Sequence, residues 1–409
     1  MAGAATAGSA TGADLKTFHF LLSERGQGYL RQLAQEPITE SSHLQLASKL
    51  RQELSPGKTH AILETALLRQ RATEKFSRAP EMYLTRAGLE QASPEPVSRH
   101  RAARIANAGF ASVADLGCGI GGDALSLAEH CSVVGIDHSL RRLAMARENV
   151  RVYGNTRRFH PLLADLTEYP ALHVDAFFAD PGRRDAQGKR YFAPDDYAPP
   201  LTPLLSRWLP KVSHGAVKIS PGIDYRFIPP DAGIEFVSLN GDVKEGVLWF
   251  GDLRDGAQRR ATLLPRGDTI SDLDDNSAPV EVSIPAGYLY EPDGAVIRAH
   301  LVETLAQKLH ASKIDEDIAY LTSDKAVATP FARCFVVDEV MPFHLKKLRA
   351  RLRQLRVGRV TVKKRGSPLS PQELKRRLDL RGDEEVILFL THVRGEPFIL
   401  IGRENDFAS

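Results

Sequence analysis

The chain has 409 residues, 43% hydrophobic and 26% charged, and 54 Lys/Arg against 51 Asp/Glu leave a formal net charge of +3. That length exceeds one ordinary compact domain, so two or three units are expected, with the composition of a globular chain. A nearly balanced charge excludes nucleic-acid affinity through global charge, so any such affinity requires local clustering. The only cysteines, Cys118, Cys131 and Cys334, have no short Cys/His pairing. A disulfide framework, a structural zinc site and other bound metal are therefore not expected, and a reducing, cytoplasmic setting is. No apolar run approaches the roughly 20 residues of a membrane span.

Residues 1–17 are rich in Ala, Gly, Ser and Thr and lack a basic start and an apolar core, so a disordered tail is expected rather than a signal peptide. From 18 to 101, Leu30, Leu33, Leu46, Leu50, Leu54, Ile62, Leu63, Leu67 and Leu68 recur at near-helical spacing. Ser55-Pro56-Gly57 and Ser93-Pro94-Glu95-Pro96 punctuate this helical region, and a helix follows from Val97 to Ala108. Strands and helices then alternate through 102–267. The strands are Ser112 to Leu116, Ser132 to Asp137, Phe159 to Leu163, Val174 to Ala179 and Gly215 to Ile219. Helices begin near Gly122, Leu140 and Tyr197. This rhythm predicts an α/β fold, a parallel sheet covered by helices on both faces. After Pro221 come three strands without helices, Glu235 to Leu239, Gly246 to Phe250 and Arg260 to Leu264. Acidic residues 268–280 read as a linker to a smaller α+β domain over 281–409. That domain has helices at Val296 to His310 and Pro371 to Leu380. A hairpin of Glu385 to Thr391 with Pro397 to Ile401 closes it about Arg394-Gly395.

The turn after the first strand reads Asp115-Leu-Gly-Cys-Gly-Ile-Gly-Gly122. Gly117, Gly119, Gly121 and Gly122, with Cys118 between them, let backbone approach a ligand at a helix N-terminus. Taken alone, this G-x-G-x-x-G spacing also admits NAD. Three acids favour S-adenosylmethionine (SAM) instead. Asp115 can face the cationic ammonium side of SAM, and Asp137, followed by His138, can accept from ribose hydroxyls. Asp165, followed by Leu166, suits an adenine amino group. Each acid alone is an ordinary turn or cap residue; all three at successive strand ends are not. Val113 to Asp137 resembles motifs I and II of the class I SAM-dependent methyltransferases, a resemblance extending over about 102–267. It implies a Rossmann-type sheet, SAM as cofactor, and binding by Asp115, Gly117, Gly119, Asp137 and Asp165.

Phe177-Phe-Ala-Asp-Pro-Gly-Arg-Arg184 lies where this family meets the methyl acceptor. Many of its N-methyltransferases carry (Asp/Asn/Ser)-Pro-Pro-(Tyr/Phe) there, which Asp180-Pro181 matches and Gly182-Arg183 does not. Asp180 and Pro181 are expected to position the acceptor, without the usual base-stacking ring. Arg183 and Arg184 suit bidentate contact with phosphate or carboxylate. Lys218, Ser220 and Pro221 are expected near the same cleft, Lys218 as readily structural as catalytic. Residues 71–92 are similar to the lead-in of trimethylguanosine synthase-like methyltransferases, and Phe76, Met82, Tyr83 and Leu84 there read equally as core contacts.

Tyr288 to Arg298 and Val362 to Gly366 resemble the THUMP-like domain appended to some bacterial class I methyltransferases. Between Met341 and Arg381 stand fourteen Lys/Arg and two Asp/Glu, a local charge of +12. The leucines from Phe343 to Arg356 fall at helical spacing, leaving a basic face outward. Lys346, Lys347, Arg349, Arg353, Lys363, Lys364, Arg365 and Arg376 are therefore expected to contact RNA phosphates. The resulting expectation is methyl transfer to tRNA or rRNA. The other readings are methylation of a small molecule or protein, and RNA binding by a chain whose Rossmann domain has lost transfer.

Overall fold

The computed structural model describes residues 15–166, 172–183, 191 and 193–405. The chain divides into two compact units, residues 1–232 with 246–255, and 233–245 with 256–409. Residues 15–22 are helical, which corrects the end of the expected tail; its first fourteen residues lie outside the described ones.

In the first unit, α1 (Glu24–Leu33), α2 (Glu40–Leu50) and α3 (Pro56–Ala72) start where the sequence supplies caps. The Ser23 hydroxyl accepts from Gly26 N–H, Thr39 and Ser42 form a capping box, and Pro56 opens α3. Ile62, Leu63, Ala66 and Leu68 of α3 are buried in one core with Leu30, Phe76, Met82 and Val113. Then α4 (Arg86–Gln91) and α5 (Glu95–Asn107) lead to the sheet.

Within this unit the strand order is β3-β2-β1-β4-β5-β7. It comprises β1 (Ser112–Leu116), β2 (Ser132–Asp137), β3 (Phe159–Leu163), β4 (Ala176–Ala179) and β5 (His214–Ile219), with the Gly246–Phe250 half of β7 (Asp242–Phe250). The first five pair in parallel, and β7 runs antiparallel to β5. All four residues of β4 are buried, as a strand covered on both faces requires. Chain order reverses between β1 and β4, so their carboxyl ends form the switch-point crevice of an open α/β sheet. The intervening helices are α6 (Ala124–Leu127), α7 (Leu140–Val152) and α8 (Leu201–Trp208). α8 starts later than expected because Pro199 and Pro200 hold the preceding backbone extended.

One buried side chain joins the N-terminal segment to the sheet. Asn149 of α7 accepts from Tyr83 N–H at 2.7 Å and donates to the carbonyls of Tyr83 and Ile120, both at 2.8 Å. Lys75 Nζ donates to the Leu89, Glu90 and Ala92 carbonyls, satisfying the end of α4. Phe76, Met82, Tyr83 and Leu84 are all buried, so they dock this segment as core residues.

In the second unit, β6 (Gly233–Leu239) pairs in parallel with β8 (Arg259–Leu264), and β8 antiparallel with β9 (Asp268–Ser271). The start of the expected linker is therefore a strand, with Ile270 fully buried opposite Ala261 and Asp272 accepting from Gln258 and Arg259 N–H. A seven-stranded sheet has the order β11-β12-β10-β13-β16-β15-β14. Its strands are β10 (Tyr288–Pro292), β11 (Ser312–Lys313), β12 (Leu321–Ser323), β13 (Ala332–Pro342), β14 (Val357–Lys364), β15 (Glu384–Val393) and β16 (Glu396–Glu404). The long β13 was not expected. The predicted helix from Val296 is two, α9 (Gly294–Arg298) and α10 (Val302–Leu309), broken where His300 takes φ 54°. The expected β15–β16 hairpin forms, with positive φ at both Arg394 and Gly395. On β15, Leu388 and Leu390 enter one core with α11 (Leu345–Gln354) and α12 (Pro371–Arg377). Ile387 and Phe389 enter the opposite core with Tyr320 and Phe335, the two-residue period of a strand.

Asn149→Ala strands three buried backbone groups and should cost about 3 kcal/mol. Both tryptophans, Trp208 and Trp249, lie in the first unit, so fluorescence-monitored urea unfolding reads the loss there.

Candidate active site

The carboxyl ends of β1, β2, β4 and β5 carry the candidate site. Gly117 and Cys118 N–H both donate to Ile136 O, at 2.8 and 2.9 Å, fastening the glycine loop to the end of β2. Gly117, Gly119 and Gly121 have φ of 78°, 56° and 81°, a region that penalises any side chain. Their surroundings differ. A Cβ on Gly117 or Gly119 would meet nothing nearer than 3.6 Å, the Leu166 side chain, whereas one on Gly121 would come within 3.0 Å of Ala146 Cα. Gly117 and Gly119 thus leave space for a ligand, while Gly121 permits α7 to pack. Gly122 faces Ala92 and Phe76. Burial pushes the Cys118 thiol well up, so it stays neutral.

Asp137 is buried and supports the loop: its Oδ2 accepts from Gly119 N–H at 3.2 Å and its Oδ1 from Ser139 N–H at 2.8 Å. His138 is exposed, with Nδ1 3.7 Å from Asp137 Oδ1. Asp165 is exposed too, just before the Leu166 side chain that lies over Gly117.

Asp115 differs from both. It is buried, and its Oδ2 has no hydrogen-bond partner among the described residues. Burial first, then the nearby Asp123 and Asp180 charges, push its carboxyl well above the usual range, against the pull of Arg101. Arg101 is 1% exposed; it pairs with Asp123, donates to Ser93 Oγ at 3.1 Å and lies 5.0 Å from the Phe178 ring centre. The sequence offers no sign of this, since Arg101 on α5 reads as a solvated helix residue.

Asp180 follows β4, and the β4–β5 register places it beside Lys218. Lys218 Nζ sits 2.6 Å from Asp180 Oδ2 and donates to Gln91 O at 3.3 Å. Lys218 is 3% exposed, so a buried side chain holds one oxygen of the Asp180 carboxylate. Pro181 is buried, and Gly182 exchanges both backbone hydrogen bonds with Ala198, at 2.8 and 2.9 Å. Arg183 is partly exposed and its carbonyl accepts from Tyr191 N–H; Arg184 lies outside the described residues. Tyr197 is buried close to Arg183 and the Ser220 backbone, so it walls the corner without presenting a ring for stacking.

The basic residues expected to meet RNA divide in two. Lys346, Lys347, Lys364 and Arg376 are exposed and have no ion pair among the described residues, and neither does the unanticipated Lys375. Arg353 pairs with Asp379 at 2.5 Å, and Arg349 donates to the Arg377 carbonyl. Lys363 and Arg365 are correspondingly not exposed phosphate contacts: both are partly buried around Glu291, at 2.5 and 3.7 Å. Folding also brings Glu339, Asp383 and Glu385 to Arg351, Arg356 and Arg359. These acids lie outside the sequence window and offset three of its twelve surplus charges.

Known families match both units: a methyltransferase domain over residues 113–180, a THUMP domain-like family over 332–404, and a domain of unknown function over 14–72. Two uncharacterized S-adenosylmethionine-dependent methyltransferases of Mycobacterium tuberculosis, MT3122 of strain CDC 1551 and Rv3037c of strain H37Rv, are each 36% identical over 348 residues. The match covers 81% of this chain and 92% of theirs. A crystal structure from Porphyromonas gingivalis W83, assigned as a methyltransferase, superposes with a TM-score of 0.73 at 23% identity, covering 91% of this chain and all of that one. The fold is shared with it. These matches do not confirm the closer likeness to trimethylguanosine synthase drawn from residues 71–92.

The unpartnered Asp115 oxygen and the open space at Gly117 and Gly119 fit a cationic nucleoside cofactor. S-adenosylhomocysteine at a hundredfold its Kd should stabilise the protein by about 2.7 kcal/mol, read as a raised Tm, and NADH should not. With 36% identity across 81% of its length, this chain belongs to the S-adenosylmethionine-dependent methyltransferases.

Proposed function

We propose that the acceptor is RNA, tRNA or rRNA, and that Asp180 positions the accepting group. The observation carrying the catalytic assignment is the Asp180–Lys218 pair, 2.6 Å apart, at adjacent strand ends beside the buried Asp115. SAM, when bound, supplies an electrophilic methyl group already activated by its sulfonium. What remains for the chain is orientation, the larger part of catalysis in such a transfer. Lys218 holds Asp180 Oδ2, leaving Oδ1 without a partner among the described residues. Oδ1 can then accept a hydrogen from the acceptor N–H or O–H, directing its lone pair at the methyl and receiving the proton released. Asp115 opposes the cationic end of the cofactor, Asp137 and Asp165 meet its ribose and adenine, and Arg183 meets a phosphate of the acceptor strand. The support for RNA is the set of exposed cations, Lys346, Lys347, Lys364, Lys375 and Arg376, in the THUMP domain-like half.

Labelled SAM incubated with RNA from a strain lacking this gene should label one nucleoside; absence of label from every RNA fraction overturns the acceptor assignment. Asp180→Asn should slow transfer at least about 100-fold while the melting shift with S-adenosylhomocysteine persists. Lys346→Ala and Lys347→Ala should each lessen the salt dependence of RNA binding by about one unit of slope.

Asp115 also predicts a pH signature. Its folded-state carboxyl binds a proton more readily than the unfolded one, so the stability it contributes is present at low pH and lost as pH rises through its raised pKa. Asp115→Asn should therefore raise the ligand-free Tm at neutral pH by about 2 °C or more. The same variant should lose most SAM affinity. Wild-type affinity should fall as the pH is lowered through that pKa, a trend absent from the variant.

A further inference from the structure

Arg101 on α5, at 1% exposed, is one of the largest fully buried side chains among the described residues. Its guanidinium pairs with Asp123, donates to Ser93 Oγ at 3.1 Å and lies 5.0 Å from the Phe178 ring centre. Phe178 is the β4 partner of Asp115 in the parallel β1–β4 register, so the two side chains project to the same face about 4.8 Å apart. The guanidinium thus covers the ring beside Asp115 while it holds the end of the glycine loop. Asp123 occupies the N-cap position of α6 yet makes no capping hydrogen bond there. Its carboxylate turns to Arg101 instead.

A buried pair of this kind is a poor way to gain stability. Taking two charges out of water costs about what their attraction returns, and apolar side chains would dock α5 as well. What the pair does change is the charge around Asp115. Asp123 on the glycine loop, Asp180 after β4 and Asp137 at the end of β2 all oppose ionisation of that carboxyl, and Arg101 on α5 favours it. Asp180 is held by Lys218 at 2.6 Å. Asp137 accepts from two backbone N–H groups and has Arg142 3.7 Å away. Since those two acids have partners of their own, the balance at Asp115 turns on Arg101 against Asp123.

We propose that Arg101 is a positioning residue for the cofactor, acting through Asp115, and that Asp123 limits its effect. This role rests on Asp115 meeting the cofactor's ammonium, which requires the carboxylate form, and is independent of the methyl acceptor. A proton held by the free site passes to solvent as the ammonium replaces it. The affinity of the full-length protein for S-adenosylhomocysteine, measured across pH, tests it. In the wild type that affinity should fall on the acid side, and Asp115→Asn should abolish the fall. Arg101→Met removes the favourable charge and should move the midpoint of the fall up by about one pH unit. Asp123→Asn removes the opposing charge and should move it down by about as much. Arg101→Lys keeps the charge and should stay near the wild type. Both charge-removing variants should also lower the Tm, as breaking a buried pair does. A merely structural pair would not drive the two midpoints in opposite directions. Midpoints that stay put, or that move the same way, overturn the proposal and leave the Asp115 assignment intact. A wild-type profile without the acid fall overturns both. Should Arg101→Met fail to fold, the Asp123→Asn midpoint decides alone.

Discussion

Three carboxylates and two cations share the carboxyl ends of β1, β4 and β5 and their flanking helices, and this uneven buried charge constrains the first unit. Arg101 is spent on Asp123, and Lys218 on Asp180. Asp115 is left, buried with an unpartnered oxygen. Such a group is costly in a folded protein, and its raised carboxyl pKa expresses that cost. The arrangement is coherent if the missing partner is a cation delivered with the cofactor. Ligand-free stability is then lowered where ligand binding recovers it, a common feature of functional sites.

The N-terminal segment belongs to that arrangement and is not an appendage to the sheet. Arg101 comes from α5, the Gln91 carbonyl at the end of α4 accepts from Lys218, and Asn149 ties Tyr83 to Ile120 inside the glycine loop. Tyr83 is thereby joined through Asn149 to the loop after β1, and Gln91 directly to the end of β5. The Asp180-Pro181 corner is braced by the following residue, where Gly182 pairs with Ala198. Proline, which the family pattern carries at this position, could not make that pairing, because Gly182 N–H donates to Ala198 O.

In the second unit, charge and curvature are linked. The basic stretch is not a uniform surface: acids from β10, β13 and the start of β15 take up several of its cations. The exposed cations of this stretch that have no ion pair among the described residues lie at the start of α11, at the end of β14 and on α12. A smaller group, Lys363 and Arg365, is drawn inward around Glu291. Two separate concentrations of positive charge replace the single block visible in the sequence.

The glycine loop, the parallel strands and Asp115, Asp137 and Asp180 at their ends were all legible in the sequence. Each depends on local rules: short apolar runs, turn glycines with positive φ, and acids at strand termini. The β15–β16 hairpin was legible for the same reason. The Arg101–Asp123 pair, the Asp180–Lys218 pair and the Asn149 clamp were not, because each joins residues more than twenty positions apart through side-chain contacts that carry no periodic signal. Strand β13 escaped because its burial does not alternate cleanly, and β9 because acidic neighbours disguise it. Sequence by itself determined the class of fold and the kind of cofactor. Tertiary structure alone decided which charges are left over, because a buried charge is defined by what folding places beside it.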